Sequence, residues 1–228
     1  MDVSTAIVTR SSRSAGAKDT IMRTAERLYA EHGFANVSIR MIREAAGQRN
    51  KSAVQYHFST RDELIQAILS RHAAAVDVHR LPMVAALEGR EEVTSHDWIT
   101  CAIAPSVEHH IELGTPSWYG RFLAQAVVEP SLRERAARAT LTTPSFRRLE
   151  RLRPPPARDR DPVLSERHAA MVRLLVVHMS AELEADLAAG RTPAATAERS
   201  WRALGDHLVT AVCGLSSALL PQEPSVRP

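Results

Sequence analysis

The chain has 228 residues with a formal net charge of +3, of which 44% are hydrophobic, 24% charged and 4% aromatic, and it contains two cysteines. Two cysteines are too few for a disulfide framework, the N-terminus lacks the apolar run of a secretory leader, and no segment holds ~18 uninterrupted apolar residues, so neither secretion nor membrane insertion is expected and a cytoplasmic protein with no membrane partner is the expectation. Scarce aromatics with abundant Ala, Leu and Val favour helices over sheets, and an all-α fold of one or two domains is predicted.

The charge is unevenly placed. Met1 to Asp62 carries 10 Lys or Arg against 6 Asp or Glu, and the remainder carries 19 against 20. A basic segment joined to a near-neutral one is the sign expected of a phosphate-facing domain. Residues 1–16, rich in Ser, Thr and Ala, with Arg10 and Arg13 and little apolar periodicity, read as a disordered basic tail. From Ala17, a helical stripe of Ile21, Ala25, Leu28 and Tyr29 runs to a stop at Gly33, and Phe34 follows as a plug for a three-helix core.

Ser38 to Phe58, SIRMIREAAGQRNKSAVQYHF, reads as two short helices and a tight turn. Ser38 can cap the first, Ile39, Ile42, Ala45 and Ala46 recur at helical spacing, and Gly47 can leave with positive φ. In the second, Ala53, Val54 and Phe58 can face inward while Arg49, Asn50, Lys51, Ser52, Gln55, Tyr56 and His57 stay outside. That outer set is rich in hydrogen-bond donors, as a helix laid in a major groove requires. Taken alone the pair also fits an amphipathic hairpin with a solvated face. Thr60-Arg61-Asp62-Glu63 is a capping box opening a further helix, whose Leu64, Ile65, Ile68 and Leu69 continue the core.

The order helix, Gly-Phe, short helix ending Ala-Ala-Gly, Tyr-His-Phe, then Ser-Thr-Arg-Asp-Glu-Leu resembles the TetR family of one-component transcriptional regulators, over roughly Ala17 to Leu69. The resemblance implies an N-terminal three-helix bundle with a helix-turn-helix (17–72), followed by a C-terminal helical domain for ligand binding and dimerisation (73–228). By position, Lys51 and Tyr56 look like phosphate contacts and Ser52 and Gln55 like base-edge contacts; Ser38, Arg49, Asn50 and His57 complete the expected DNA-binding set. The turn after Gly47 is one residue longer than the family's usual spacing, which leaves open where among Gln48, Arg49 and Asn50 the second helix starts.

Beyond Asp62 a helix is expected to run past Arg80 to Pro82. Thr94 with Asp97 should cap the next, through Leu113, with Pro105 kinking or dividing it. A turn at Gly114-Thr115-Pro116 leads to a helix from Ser117 to Val128. Ser131 to Leu152 is helical with a break near Thr143-Pro144, and Arg153 to Pro162 is a proline-rich linker. Asp161 and Pro162 open a helix to about Ala189, stopped by Gly190; Thr192 and Pro193 open the last, to Leu220. Trp201, Leu204, Leu208, Val212, Leu215 and Leu219 form a seam on it, and Met171, Leu174, Leu175, His178 and Leu183 a comparable stripe before it. Two such seams predict a homodimer, which the resemblance also implies.

No catalytic constellation is found: there is no phosphate loop, His-Glu-x-x-His, Gly-x-Ser-x-Gly or zinc-type cysteine spacing, so no enzyme, metal or cofactor is expected. Cys101 and Cys213 read as inert buried thiols. The resemblance implies a small effector, and the residues with an apolar body and a polar tip are Trp98, His109, His110, Trp118, Tyr119, Phe122 and Met171. A lining with few charges would suit a lipophilic or aromatic compound. The functional expectation is a repressor that binds double-stranded DNA at a pseudo-palindromic operator as a dimer and is released by effector. The alternative is a helical small-molecule binding protein or enzyme that does not act on DNA.

Overall fold

The computed structural model describes residues 3–47, 57–154 and 161–218, with side chains from Gly16 onward. Among these residues there are nine α-helices and no strand, in agreement with the all-α expectation: α1 (Val3–His32), α2 (Ile39–Ala45), α3 (Arg61–Glu88), α4 (Ser95–Leu113), α5 (Tyr119–Val128), α6 (Pro130–Leu141), α7 (Pro144–Arg151), α8 (Pro162–Ala188) and α9 (Ala197–Ala218). None is long and apolar enough to cross a membrane.

The first correction concerns the tail. α1 is continuous from Val3, where residues 1–16 were expected to lack regular structure. The stretch has no proline, its Ser, Thr and Ala tolerate helix, and Gly16 alone costs only about 1 kcal/mol. Gly33 ends α1 at φ +81, a backbone that side-chain-bearing residues adopt only with strain, and Phe34 then packs on Tyr29 with ring centroids 4.8 Å apart. Ser38 caps α2, its Oγ accepting from Met41 N at 3.3 Å. Thr60 caps α3 by accepting from Glu63 N at 3.1 Å. Glu63, however, accepts from Ser59 N at 2.8 Å rather than from the cap residue, so the expected reciprocal box is displaced by one residue.

α3 extends beyond Pro82 to Glu88. Val78 and Pro82 both lie on its exposed side, where water can serve the carbonyl that the proline leaves without a donor. α4 keeps the Thr94–Asp97 capping box and Leu113 as its last residue, and Pro105 does not divide it in two. The carbonyl four residues earlier, Cys101 O, is instead taken by Arg80 Nε at 3.2 Å, with Arg80 Nη2 on Ala102 O at 3.3 Å. A neighbouring side chain thus replaces the missing backbone donor.

The largest hydrophobic cluster joins α1, α2 and the first turns of α3 to α5, α6 and α8: Ile21, Tyr29, Phe34, Ile42 and Ile68 share it with Phe122, Val127, Leu132 and Val177. It runs across the expected boundary at residue 72. Gln125 Nε2 adds a hydrogen bond from α5 to Ala30 O on α1, at 3.1 Å. α5 itself has no side-chain cap from its own N-terminus. Glu184 of α8 supplies one, its carboxylate accepting from Ser117 Oγ (2.7 Å), Gly120 N (3.0 Å), Arg121 N (3.0 Å) and Arg121 Nε (3.1 Å). α9 lays Trp201, Leu208 and Val212 on Ile99, Ile103 and Val107 of α4. This seam is filled within the chain, whereas Leu164, Met171 and Leu174 of α8 remain exposed.

Candidate nucleic-acid interface and internal cavity

The reading head is assembled by local chemistry. Ile42 is fully buried and holds α2 against α1, while Arg40, Met41 and Glu44 stay at the surface. Phe58 is buried, with Lys18 Nζ 5.4 Å from its ring centroid. Arg61 folds back to Tyr29 Oη at 3.3 Å and to the Phe34 carbonyl, tying the start of α3 to the end of α1. Ser38 and His57 are therefore fixed at the two ends of the segment, the one exposed and the other half-buried. Arg49, Asn50, Lys51, Ser52, Gln55 and Tyr56 lie outside the described residues.

Between α3, α4, α5, α6, α7, α8 and α9 there is a cavity of about 690 Å³. Its walls are largely aliphatic, with Ile99, Ile103, Leu123, Val127, Val176 and Val212, and its polar points include Arg80, Ser106, Tyr119 and Arg173. At its inner end Tyr119 stacks on His72 with centroids 4.0 Å apart and 19° between planes. Behind that stack runs a buried polar chain from α4 through α3 to α1. His72 Nδ1 lies 2.8 Å from His109 Nε2, and His72 Nε2 lies 3.0 Å from Glu26 Oε2, which also pairs with Arg71. Burial, reinforced by the neighbouring His72, pushes His109 down to about 3; burial does the same to His110, which stacks on Trp201 at 4.2 Å and 8°. Burial also raises the Tyr119 phenol, so it stays protonated at the cavity wall.

Residues 21–68 match the family described as bacterial regulatory proteins, tetR family. The match is confined to this N-terminal segment, and over it the chain is similar to the tetR family. Three repressors named HTH-type transcriptional repressor AcnR are also similar. That of Corynebacterium diphtheriae is 30% identical over 131 residues, and those of Corynebacterium efficiens and Corynebacterium glutamicum are 26% identical over 125 residues. In each case 53% of this chain and 64% of the relative are covered, so the chain spans just under two thirds of the length of the relatives it matches.

Of the seven ligand contacts expected from sequence, Trp98 and Tyr119 line the cavity. The other five do not line it. Phe122 is fully buried in the main core, 5.5 Å from Phe34 and 6.3 Å from Tyr29 between centroids, because α5 turns that face toward α1. Trp118 packs half-buried against the same core, and Met171 lies on the outer face of α8, 46% exposed. His109 and His110 are buried behind Tyr119, with their Nδ1 atoms lacking a hydrogen-bond partner. Sequence reasoning missed Arg80, Glu26 and His72. The available signal was a charge on an apolar stripe: Arg80 falls in register with Val76, Val84 and Leu87, and Glu26 beside Met22 and Tyr29.

Proposed function

We propose that this protein is a transcriptional repressor that binds double-stranded DNA as a homodimer and leaves its operator when a small effector enters the internal cavity. The match of residues 21–68 to the tetR family carries the reading. The names of the Corynebacterium relatives support repression rather than activation. Residues 17–72 serve as the DNA-binding domain and 73–228 as the effector-binding and dimerisation domain. Lys51 and Tyr56, with Ser38 and His57, hold phosphate, and Ser52, Gln55, Arg49 and Asn50 face base edges. The exposed Leu164, Met171 and Leu174 of α8, at spacings of seven and three, supply a dimer surface. A cytoplasmic location follows from this role.

α3 supports a route from ligand to DNA, since its Leu64, Ile65 and Ile68 belong to the reading head and its Val76 and Arg80 to the cavity wall. An occupant favouring a tilted α3 would move the two heads out of register with successive major-groove faces, about 34 Å apart. Selection of bound duplexes from a random DNA pool at near-physiological salt tests the reading, and one inverted repeat is the expected product. Lys51→Ala should weaken all sequences alike, while Gln55→Ala should relax preference at particular base pairs. Recovery of no sequence, with binding abolished by salt, would overturn it.

A further inference from the structure

We propose that the cavity takes an amphipathic anion, an apolar body ending in a carboxylate that seats on the Arg80 guanidinium. The proposal rests on the effector reading of that cavity and departs from the neutral lipophilic compound expected from sequence.

Arg80 is 2% exposed and lines the cavity. Two of its nitrogens are spent on neutral carbonyls, Cys101 O and Ala102 O, and Nη1 is buried without any hydrogen-bond partner. Carbonyls satisfy donors but do not neutralise a charge, and among the described residues Arg80 makes no ion pair. Asp77, one turn earlier on α3, accepts at Oδ1 from Ser145 N at 2.9 Å and from the Ser145 hydroxyl. The Phe146 ring lies 5.3 Å from the guanidinium carbon and offers only a face. A guanidinium keeps its proton under all ordinary conditions, so the fold holds a buried positive charge with one donor unspent.

The rest of the wall has the same sign. Arg153 and Arg173 also line the cavity, against Glu150 as its one acid among the described residues, and Glu150 is paired with Arg153. A ligand carboxylate meeting the guanidinium at the cavity wall would draw Nη1, which is buried and unpartnered, round to give a charge-assisted bond in a desolvated setting, where such bonds are strongest. The remaining wall, with Ile99, Ile103, Leu123, Val127, Val176 and Val212, takes the apolar body, and about 690 Å³ is ample for one.

The probes are dodecanoate and 1-dodecanol, alike in chain and different in head, titrated calorimetrically into the full chain. Dodecanoate is expected to bind roughly ten-fold or more tightly than the alcohol. Equal affinities would overturn the anion proposal and leave the effector cavity standing; binding of neither would overturn both. Because Arg80→Met alone strips the Cys101 carbonyl of its donor, the variant used is Arg80→Met with Pro105→Ala, which returns a backbone N–H to that carbonyl. It should bind dodecanol as before and lose the preference for the acid, and a surviving preference would remove Arg80 from the role. On the unaltered chain, the carboxyl carbon signal of labelled dodecanoate gives a readout independent of folding. A bound acid that titrates below the free one is expected, and one that titrates above it would mean apolar burial without a cation.

Discussion

Arg80 on α3 completes the helix that Pro105 interrupts on α4. Proline has no N–H to give the carbonyl of Cys101, and the Arg80 Nε reaches that oxygen at 3.2 Å. The two residues therefore depend on each other. In the unaltered background Arg80→Met leaves a buried carbonyl unserved, at a cost of about 1–3 kcal/mol. In the Pro105→Ala background the helix supplies its own donor, and the same change should cost less by about 1 kcal/mol. Chemical denaturation of the four proteins measures the coupling, and additive costs would contradict it.

Glu26 is a second tie between elements, holding Arg71 and His72 of α3 from α1 at 7% side-chain exposure. Glu26→Gln removes the charge but little volume, leaving the Arg71 guanidinium, 29% exposed, to water on one side. A loss of roughly 2 kcal/mol is expected, tempered by that exposure. Unchanged stability would mean that the short chain of polar contacts is not a stabilising one.

Stability should fall with acid before the carboxylates titrate. His109 and His110 are held down to about 3 in the folded protein by burial, against an ordinary value near 6.5. Between those values the unfolded chain binds protons that the folded chain does not, so unfolding gains as pH drops. Each histidine contributes up to about 1.4 kcal/mol per pH unit well below 6.5, and a combined loss of about 3 kcal/mol is expected from pH 7.5 to 5.5. His110→Phe, which keeps a ring against Trp201, should flatten the slope. Thermal melts across this range with identical slopes for both proteins would refute the assignment.

Two glycines within helices should respond oppositely to the same substitution. A Cβ on Gly120 would meet Ala181 Cα and N and His110 Cε1, each at 3.3 Å, where α5 crosses α8. A Cβ on Gly214 meets nothing within 4 Å. Gly214→Ala should stabilise by about 0.5–1 kcal/mol through helix propensity, and Gly120→Ala should destabilise by about 1–3 kcal/mol through overpacking. Matching shifts in melting temperature would show that the crossing has room to spare.

What could be read in the sequence was what a few neighbouring residues settle among themselves. Ser38, Thr94, Asp161, Gly33 and Gly190 set helix ends by contacts within one turn, and the helix ends they mark agree closely with the structure. Pro105 misled because its remedy comes from Arg80, more than twenty residues away in the chain and on another helix. The cavity was legible only in part, at Trp98 and Tyr119, since its walls depend on which faces of seven helices meet. Phe122 has the chemistry of a ligand contact, and only the rotation of α5 toward α1 assigns it to the core.

The Glu184 carboxylate has a mechanical meaning beyond its hydrogen bonds. It grips the first turn of α5 through two backbone amides, the Arg121 side chain and the hydroxyl of Ser117, which precedes the helix, so that turn cannot slide along α8 without breaking four contacts at once. α5 in turn presses Phe122 between Tyr29 and Phe34 and hooks Gln125 onto the end of α1. α8, α5 and α1 are therefore tied in series. A shift of α8 strains the contacts that hold α5 and, through Phe122 and Gln125, those that hold the end of α1.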